Sequence, residues 1–343
     1  MKVIFLALGD RFVASSRARV YSYMPYLEGK GIRSTVIQYT SSLQCRKILL
    51  LEKQRLPEKM IFKIYSAFAL LRLFALAPFF DIVYIQKVAL SHISTTVLKA
   101  LNKNIVFDFD DAIFADKDIG HILRSARCVV VSNDYLKKFS LTLNRDVREL
   151  ISPVKIEGEG LQKEGKLKVR LGWIGSPETS KYLTSIYPVF ESLKRNFTCL
   201  EIVFMGLAPN VSETMSSVAS SRLQWSYSGE RDYIKSLDIG IMPLTNDEHS
   251  RAKGGYKLLQ YMASGIACVA SPVGINRDII KDGVNGYLAG SNEEWESKLS
   301  SLISDSSLRE KMGNEGKRMA RDFYSYEVFA PKLISIFEEL VNS

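Results

Sequence analysis

Short, β-branched apolar runs alternate along the chain with stretches of helical spacing, and this alternation limits the fold more than any other feature. Val3–Leu8, Ser34–Gln38, Ile82–Gln86, Ile105–Phe109 and Val129–Ser132 make one series. Val169–Ile174, Glu201–Met205, Ile239–Pro243 and Ala267–Ala270 make a second. A run that is apolar at nearly every position predicts a strand covered on both faces. Such strands separated by helices predict parallel sheets. Two series predict two doubly wound α/β domains, which suits 343 residues, more than one core commonly holds.

The predicted break is Ile151–Lys168, which is polar, carries Gly158, Gly160 and Gly165, and has no apolar period. The expected division is therefore 1–155 and 156–321. The remaining 322–343 contains Ser325–Leu340, apolar at Val328, Phe329, Leu333, Ile336, Phe337 and Leu340. That spacing predicts a helix packed by one face.

Ile61–Phe80 is strongly apolar, its only charges are Lys63 and Arg72, and Pro78 stands near its end. Nine residues apart, those two charges lie on opposite sides of a helix. A membrane-spanning helix tolerates them poorly. Two readings stay open: a buried helix, or a membrane-surface element whose Lys63 and Arg72 reach lipid phosphates.

The composition, 46% hydrophobic and 24% charged, is that of a folded globular chain. A net charge of +9 attracts anions. Because the basic residues are scattered, phosphorylated small molecules and anionic membrane rank ahead of nucleic acid, which is not expected as a partner. Cys45, Cys128, Cys199 and Cys268 form no Cys-x-x-Cys pair, and His92, His121 and His249 have no metal-ligand spacing, so no metal is expected. Cys128 and Cys268 lie in apolar runs, as buried thiols of a reducing compartment do. The apolar start before Gly9-Asp10 is too short for a signal peptide, and the sequons at Asn196 and Asn210 then carry no meaning. A cytoplasmic location is expected.

Common catalytic signatures are missing. The sequence has no Gly-x-Gly-x-x-Gly, Gly-x-Ser-x-Gly or His-Glu-x-x-His. Gly160–Lys166 has phosphate-loop spacing, but Leu167 stands where Ser or Thr is required and the segment precedes a strand. Two places remain. The first is Asp108-Phe109-Asp110-Asp111, at the carboxyl end of a predicted strand, where parallel sheets bind ligands. Asp110 or Asp111 either caps a following helix or serves a site, with Mg²⁺ as a third, weaker option. The second runs from Arg251 through Lys253, Gly254, Gly255, Tyr256 and Lys257 to Gln260 and Gly265. Gly254-Gly255 permits close backbone approach. A helix from about Tyr256, with Lys253 and Lys257 beside its start, suits a diphosphate; the alternative is solvated surface lysines.

Gln260-Tyr-Met-Ala-Ser-Gly265-Ile-Ala-Cys-Val, then Gly274, then Asp282-Gly-Val-Asn-Gly286 resembles the donor half of GT-B glycosyltransferases, in particular the retaining family four (glycosyl transferases group 1). Leu171-Gly-Trp-Ile-Gly-Ser-Pro177 extends the likeness. The resemblance implies two Rossmann-like domains facing a cleft, with the last helix crossing back to the first. It implies metal-independent transfer of a sugar from a nucleotide diphosphate, with retention. The acceptor it implies is a saccharide or polyprenyl-linked saccharide of cell-surface polysaccharide synthesis, reached by a peripheral membrane enzyme. No cofactor is expected. Donor contacts fall on Gly175, Ser176, Lys181, Arg251, Gly254, Gly255, Tyr256, Gln260 and Gly274, and the acceptor side on Gly9, Arg17 and Arg19. Asp110, Asp111, Lys253 and Lys257 take the catalytic places. The sequence departs from the pattern at Ala252 and Gln260, where the family's two glutamates fall, and at Ser176, where a diphosphate-gripping cation falls. The Asp108–Asp111 group replaces its histidine. The rival readings are a sugar-nucleotide epimerase on the same architecture and a non-catalytic sugar-nucleotide-binding protein.

Overall fold

The computed structural model describes residues 1–50, 52–156, 158 and 168–342. Most of the predicted linker, with the Gly160–Lys166 spacing, lies outside the described residues. The chain divides into two compact units. The first comprises Met1–Pro153, Ala252–Gly254 and Tyr326–Ser343; the second comprises Val154–Arg251 and Gly255–Ser325.

The first unit holds a six-stranded parallel sheet. Its strands are β1 (Lys2–Ala7), β2 (Arg33–Gln38), β3 (Ile82–Gln86), β4 (Ile105–Phe109), β5 (Cys128–Val131) and β6 (Val147–Glu149). They lie in the order β2-β1-β3-β4-β5-β6. Every residue of β3, β4 and β5 is buried, which is why those segments are apolar without alternation. The last helix, Tyr326–Asn342, belongs to this unit. Its Phe337 ring lies 6.3 Å from Phe5 and 5.8 Å from Tyr84, and the Tyr326 hydroxyl donates to the Ala18 carbonyl at 2.9 Å.

The second unit repeats the architecture with β7 (Val169–Ile174), β8 (Leu200–Met205), β9 (Ser221–Leu223), β10 (Ile239–Met242), β11 (Ala267–Ala270) and β12 (Tyr287–Leu288). The order is β12-β11-β10-β7-β8-β9, again all parallel. Its core gathers Leu171, Trp173, Phe190, Phe204, Ile241 and Trp295. The strand order reverses at β1/β3 in one sheet and at β7/β10 in the other, and ligands of such sheets bind at the carboxyl ends of strands near that reversal.

The segment expected as either a buried helix or a membrane-surface one is a helix over Leu56–Leu76, followed by a turn at Ala77–Phe79. It is not a core helix. One stripe, Phe62, Ala69 and Leu73, is buried, whereas Met60, Ile64, Phe68 and Leu71 are exposed, with Phe68 at 71%. At 100° per residue the exposed residues lie opposite the buried stripe, and Lys63 and Arg72 fall on its two margins. The segment is long and apolar enough to cross a membrane by length and composition. Cys45, Cys128 and Cys268 are buried free thiols, and Cys199 is half-buried.

Candidate functional site

In the first unit the register brings the carboxyl ends of β1, β3, β4 and β5 side by side: Ala7 pairs with Gln86, Gln86 with Asp108 and Phe109 with Val131. The loops that follow carry Gly9, Lys87, Asp110-Asp111 and Ser132-Asn133. Gly9 is buried, its N–H donating to Ser16 Oγ at 3.1 Å. Arg17 is half-buried and donates to the Arg11 carbonyl at 2.9 Å.

Arg19, expected on the acceptor side, is turned into the interior. Its side chain is 2% exposed and pairs with Asp108, which is fully buried. Arg19 Nε lies 2.8 Å from Asp108 Oδ1, and Nη1 donates to the Leu150 carbonyl at 2.9 Å and to Ser152 Oγ at 3.1 Å. Burial opposes the charge, but the Asp108 carboxylate outweighs it and holds the guanidinium protonated well above the ordinary arginine range. Arg19 ties the first helix to β4 and to the segment after β6. Asp108 is spent on that bond, so only Asp110 and Asp111 of the acidic run face a loop.

Asp111 accepts from its neighbour's amide, Ala112 N, at 2.9 Å ahead of a short 3₁₀ turn, Ile113–Ala115. Lys87 Nζ lies 3.3 Å from Asp110 Oδ1 and 3.5 Å from Asp111 Oδ2. Burial alone would raise the Asp111 pKa; Lys87 and then Lys253 outweigh it, and the carboxyl titrates below its usual range. Lys253 is thus within electrostatic reach of Asp111. Asn133 fixes its backbone: Nδ2 donates to the Ala252 carbonyl at 2.9 Å and the Lys253 carbonyl at 3.1 Å, while Oδ1 caps the next helix at Leu136 N. Ala252 is fully buried in the core of this unit, so a methyl group suits its place. Gly254 closes the segment where an added Cβ would stand 3.2 Å from Ser132 Oγ.

In the second unit the helix Tyr256–Ala263 starts at Gly255, whose φ of 67° is strained for any residue with a Cβ. Its inner face buries Leu258, Leu259 and Met262, and the Tyr261 hydroxyl accepts from Ile174 N at 3.2 Å, fixing the helix on the end of β7. Lys257 Nζ lies 4.2 Å from the centre of the Trp173 ring, a cation–π distance. Gly175, directly after β7, leaves room for that ammonium: a Cβ there would lie 2.8 Å from it. Gln260 Nε2 donates to Glu230 Oε1 at 2.7 Å, and Trp225 Nε1 donates to Glu230 Oε2 at 2.9 Å. Gly274 has φ 53°, and a Cβ there would stand 2.8 Å from the Arg251 carbonyl oxygen. Ser176 begins the 3₁₀ segment that carries Lys181; Lys181 is exposed, as is Arg251, and Tyr256 is half-buried.

The expected residues therefore form two groups. Asp110, Asp111, Lys253 and Gly254 gather in the first unit; Gly175, Gly255, Lys257 and Gln260 gather in the second. Sequence reasoning missed Lys87, Asn133 and Glu230. Lys87 follows a buried strand directly and Asn133 comes two residues after one, and that position was the one available signal. Among the described residues no group of three or more His, Cys, Asp and Glu side chains is arranged to hold a metal.

Residues 169–319 match the family described as Glycosyl transferases group 1. An uncharacterized glycosyltransferase, MJ1069 of Methanocaldococcus jannaschii, is 27% identical over 248 residues, covering 67% of this chain and 63% of that protein. Spore coat protein SA of Bacillus subtilis is 24% identical over 170 residues, covering 49% of this chain and 38% of that protein. The match thus spans less than two thirds of either relative. Among solved structures, Anabaena Alr3699/HepE in complex with UDP superposes with a TM-score of 0.71 at 12% identity, covering 99% of this chain and 100% of that one. At that identity the likeness is one of fold: the two parallel six-stranded sheets are those of GT-B glycosyltransferase structures.

Proposed function

We propose, from the match of residues 169–319 to the family described as Glycosyl transferases group 1, that the chain moves a sugar from a nucleotide-diphosphate donor to a saccharide or lipid-linked saccharide, with retained configuration. The observation that carries this reading is the start of the Tyr256–Ala263 helix. Its N-terminal amides, Lys257 braced on Trp173, and the opening left by Gly175 suit a diphosphate group. A neighbour of the same fold, Anabaena HepE, is described in complex with UDP and with UDP-glucose, which supports a nucleotide-sugar donor.

In this reading Lys253, Lys257 and the helix amides stabilise the negative charge that grows on the departing diphosphate. Lysine ammonium groups supply that charge, so the step runs without a metal. Ser176, Lys181, Arg251, Tyr256, Gln260 and Gly274 complete the donor contacts, with Glu230 orienting the Gln260 amide. Asp110 and Asp111 face the sugar's developing positive charge, and Gly9 and Arg17 serve the acceptor side. Lys253→Ala and Lys257→Ala each lower turnover with a panel of nucleotide sugars by about 10²–10³-fold, the scale for removing one such charge partner. Unchanged donor affinity and turnover in both variants would refute the assignment.

The acceptor is a lipid-borne saccharide used in cell-surface polysaccharide synthesis, and the enzyme works at the cytoplasmic face of an anionic membrane. The exposed apolar stripe of Leu56–Leu76 supports this. So does the charge around it: Arg46, Lys47, Lys53, Arg55, Lys59, Lys63 and Arg72 stand against Glu52 and Glu58 alone. A helix lying in a lipid interface has this distribution, with an apolar face toward acyl chains and cations at its margins.

A further inference from the structure

Lys87 follows β3 directly and has φ 58°, the one positive φ outside glycine among the described residues. Its N–H donates to the Asp108 carbonyl at 2.7 Å, which fixes the turn. A left-handed backbone is strained for a residue with a Cβ, whereas glycine takes it freely. A lysine at such a position points to a use for its side chain, since observed strain of this kind gathers at functional sites.

The side chain lies between Asp110 and Asp111, 3.3 Å and 3.5 Å from one oxygen of each, and is 17% exposed. Two carboxylates on consecutive residues repel, and burial favours a proton on one of them. Asp110 Oδ1 has no hydrogen-bond partner; the Lys87 ammonium 3.3 Å away offsets its charge, with the buried Arg19 also within electrostatic reach. Lys253 acts on Asp111 from a different segment of the chain. Lys87 and Lys253 are thus the cations that act most strongly on Asp111, and Asp110 precedes it in the chain.

We propose that Lys87 is a positioning residue. Its ammonium, held by a left-handed turn at the end of β3, lies against one oxygen of each carboxylate and holds Asp110 and Asp111 in place for the sugar-transfer step. This rests on the glycosyl-transfer reading given above, but its electrostatic half does not depend on turnover.

Two measurements test it on the intact chain. The first follows the Asp111 carboxyl by ¹³C NMR titration, assigned with Asp111→Asn. In Lys87→Met and Lys87→Gly the Asp111 pKa rises by at least about one unit, and in Lys87→Arg it stays near the wild-type value. Lys87→Gly keeps the left-handed backbone, so a rise there belongs to the lost charge and not to a changed turn. The second compares kcat and KM for nucleotide sugars. Lys87→Met lowers kcat about 10–100-fold with donor KM changed less than about twofold, and Lys87→Arg restores most of it. An unchanged Asp111 titration in folded Lys87→Met overturns the proposal, as does an equal loss of kcat in Lys87→Arg and Lys87→Met. If wild-type protein turns over no nucleotide sugar, the transfer reading falls, and the titration alone decides whether Lys87 governs the carboxylates.

Discussion

At the scale of single residues, one acidic run divides its labour. Asp108, Asp110 and Asp111 look alike in sequence, yet Asp108 sits inside β4, where its side chain meets Arg19 in the interior, while Asp110 and Asp111 lie past the strand end. Sequence could locate the run but not this division, which depends on Arg19 arriving from a helix 89 positions earlier. Removing one partner of a buried pair leaves an uncompensated charge. Arg19→Met therefore costs about 3–5 kcal/mol in denaturant unfolding, and a second change, Asp108→Leu, recovers part of that loss. Asp111 gives a pH test. Its folded pKa lies below the unfolded value, so its contribution to stability is complete above about pH 4 and is lost as pH falls through the folded pKa. The melting temperature of wild type should exceed that of Asp111→Asn by a constant margin above that pH and converge on it below. For Lys87 the sequence offered only its place at the end of a buried strand; the left-handed turn that separates it from a solvated lysine shows only in the fold.

Among the elements, the strands buried on both faces were legible and the edges were not. β6, β9 and β12 are two or three residues long, part exposed, and carry Arg148, Arg222 or Tyr287, so neither an apolar run nor an alternation marks them. The Leu56–Leu76 helix posed the opposite difficulty. It is apolar around most of its circumference, and only packing tells which stripe meets protein. If its outer stripe meets lipid, each large side chain buried there contributes about 1.5–3 kcal/mol. Changing Ile64, Phe68 and Leu71 together to serine should weaken sedimentation with anionic vesicles by at least about a hundredfold. The melting temperature should hardly move, because all three are exposed. Binding by wild type should also weaken with added salt. Equal binding by the triple variant would remove the helix from the account. Near the donor motif, Gly274→Ala places a Cβ against the Arg251 backbone at positive φ, and should lower nucleotide affinity together with stability.

On the scale of the whole molecule, the alternation of strand and helix foretold two parallel sheets, because covering both faces of a strand leaves a continuous apolar run. The helix start at Gly255, with Lys257 in its first turn, was legible because a Gly-Gly pair ahead of an apolar helical period marks a sharp start. Finer contacts made between elements distant in sequence, such as Gln260 with Glu230, were not legible. The most direct test is release of nucleotide diphosphate from a panel of nucleotide sugars, with vesicles carrying lipid-linked saccharide as acceptor, for wild type and for Lys253→Ala/Lys257→Ala. The account predicts acceptor-dependent release from at least one sugar nucleotide by wild type, and its loss by about a hundredfold or more in the double variant. Release by the double variant at the wild-type rate, or none by wild type with any donor, contradicts it.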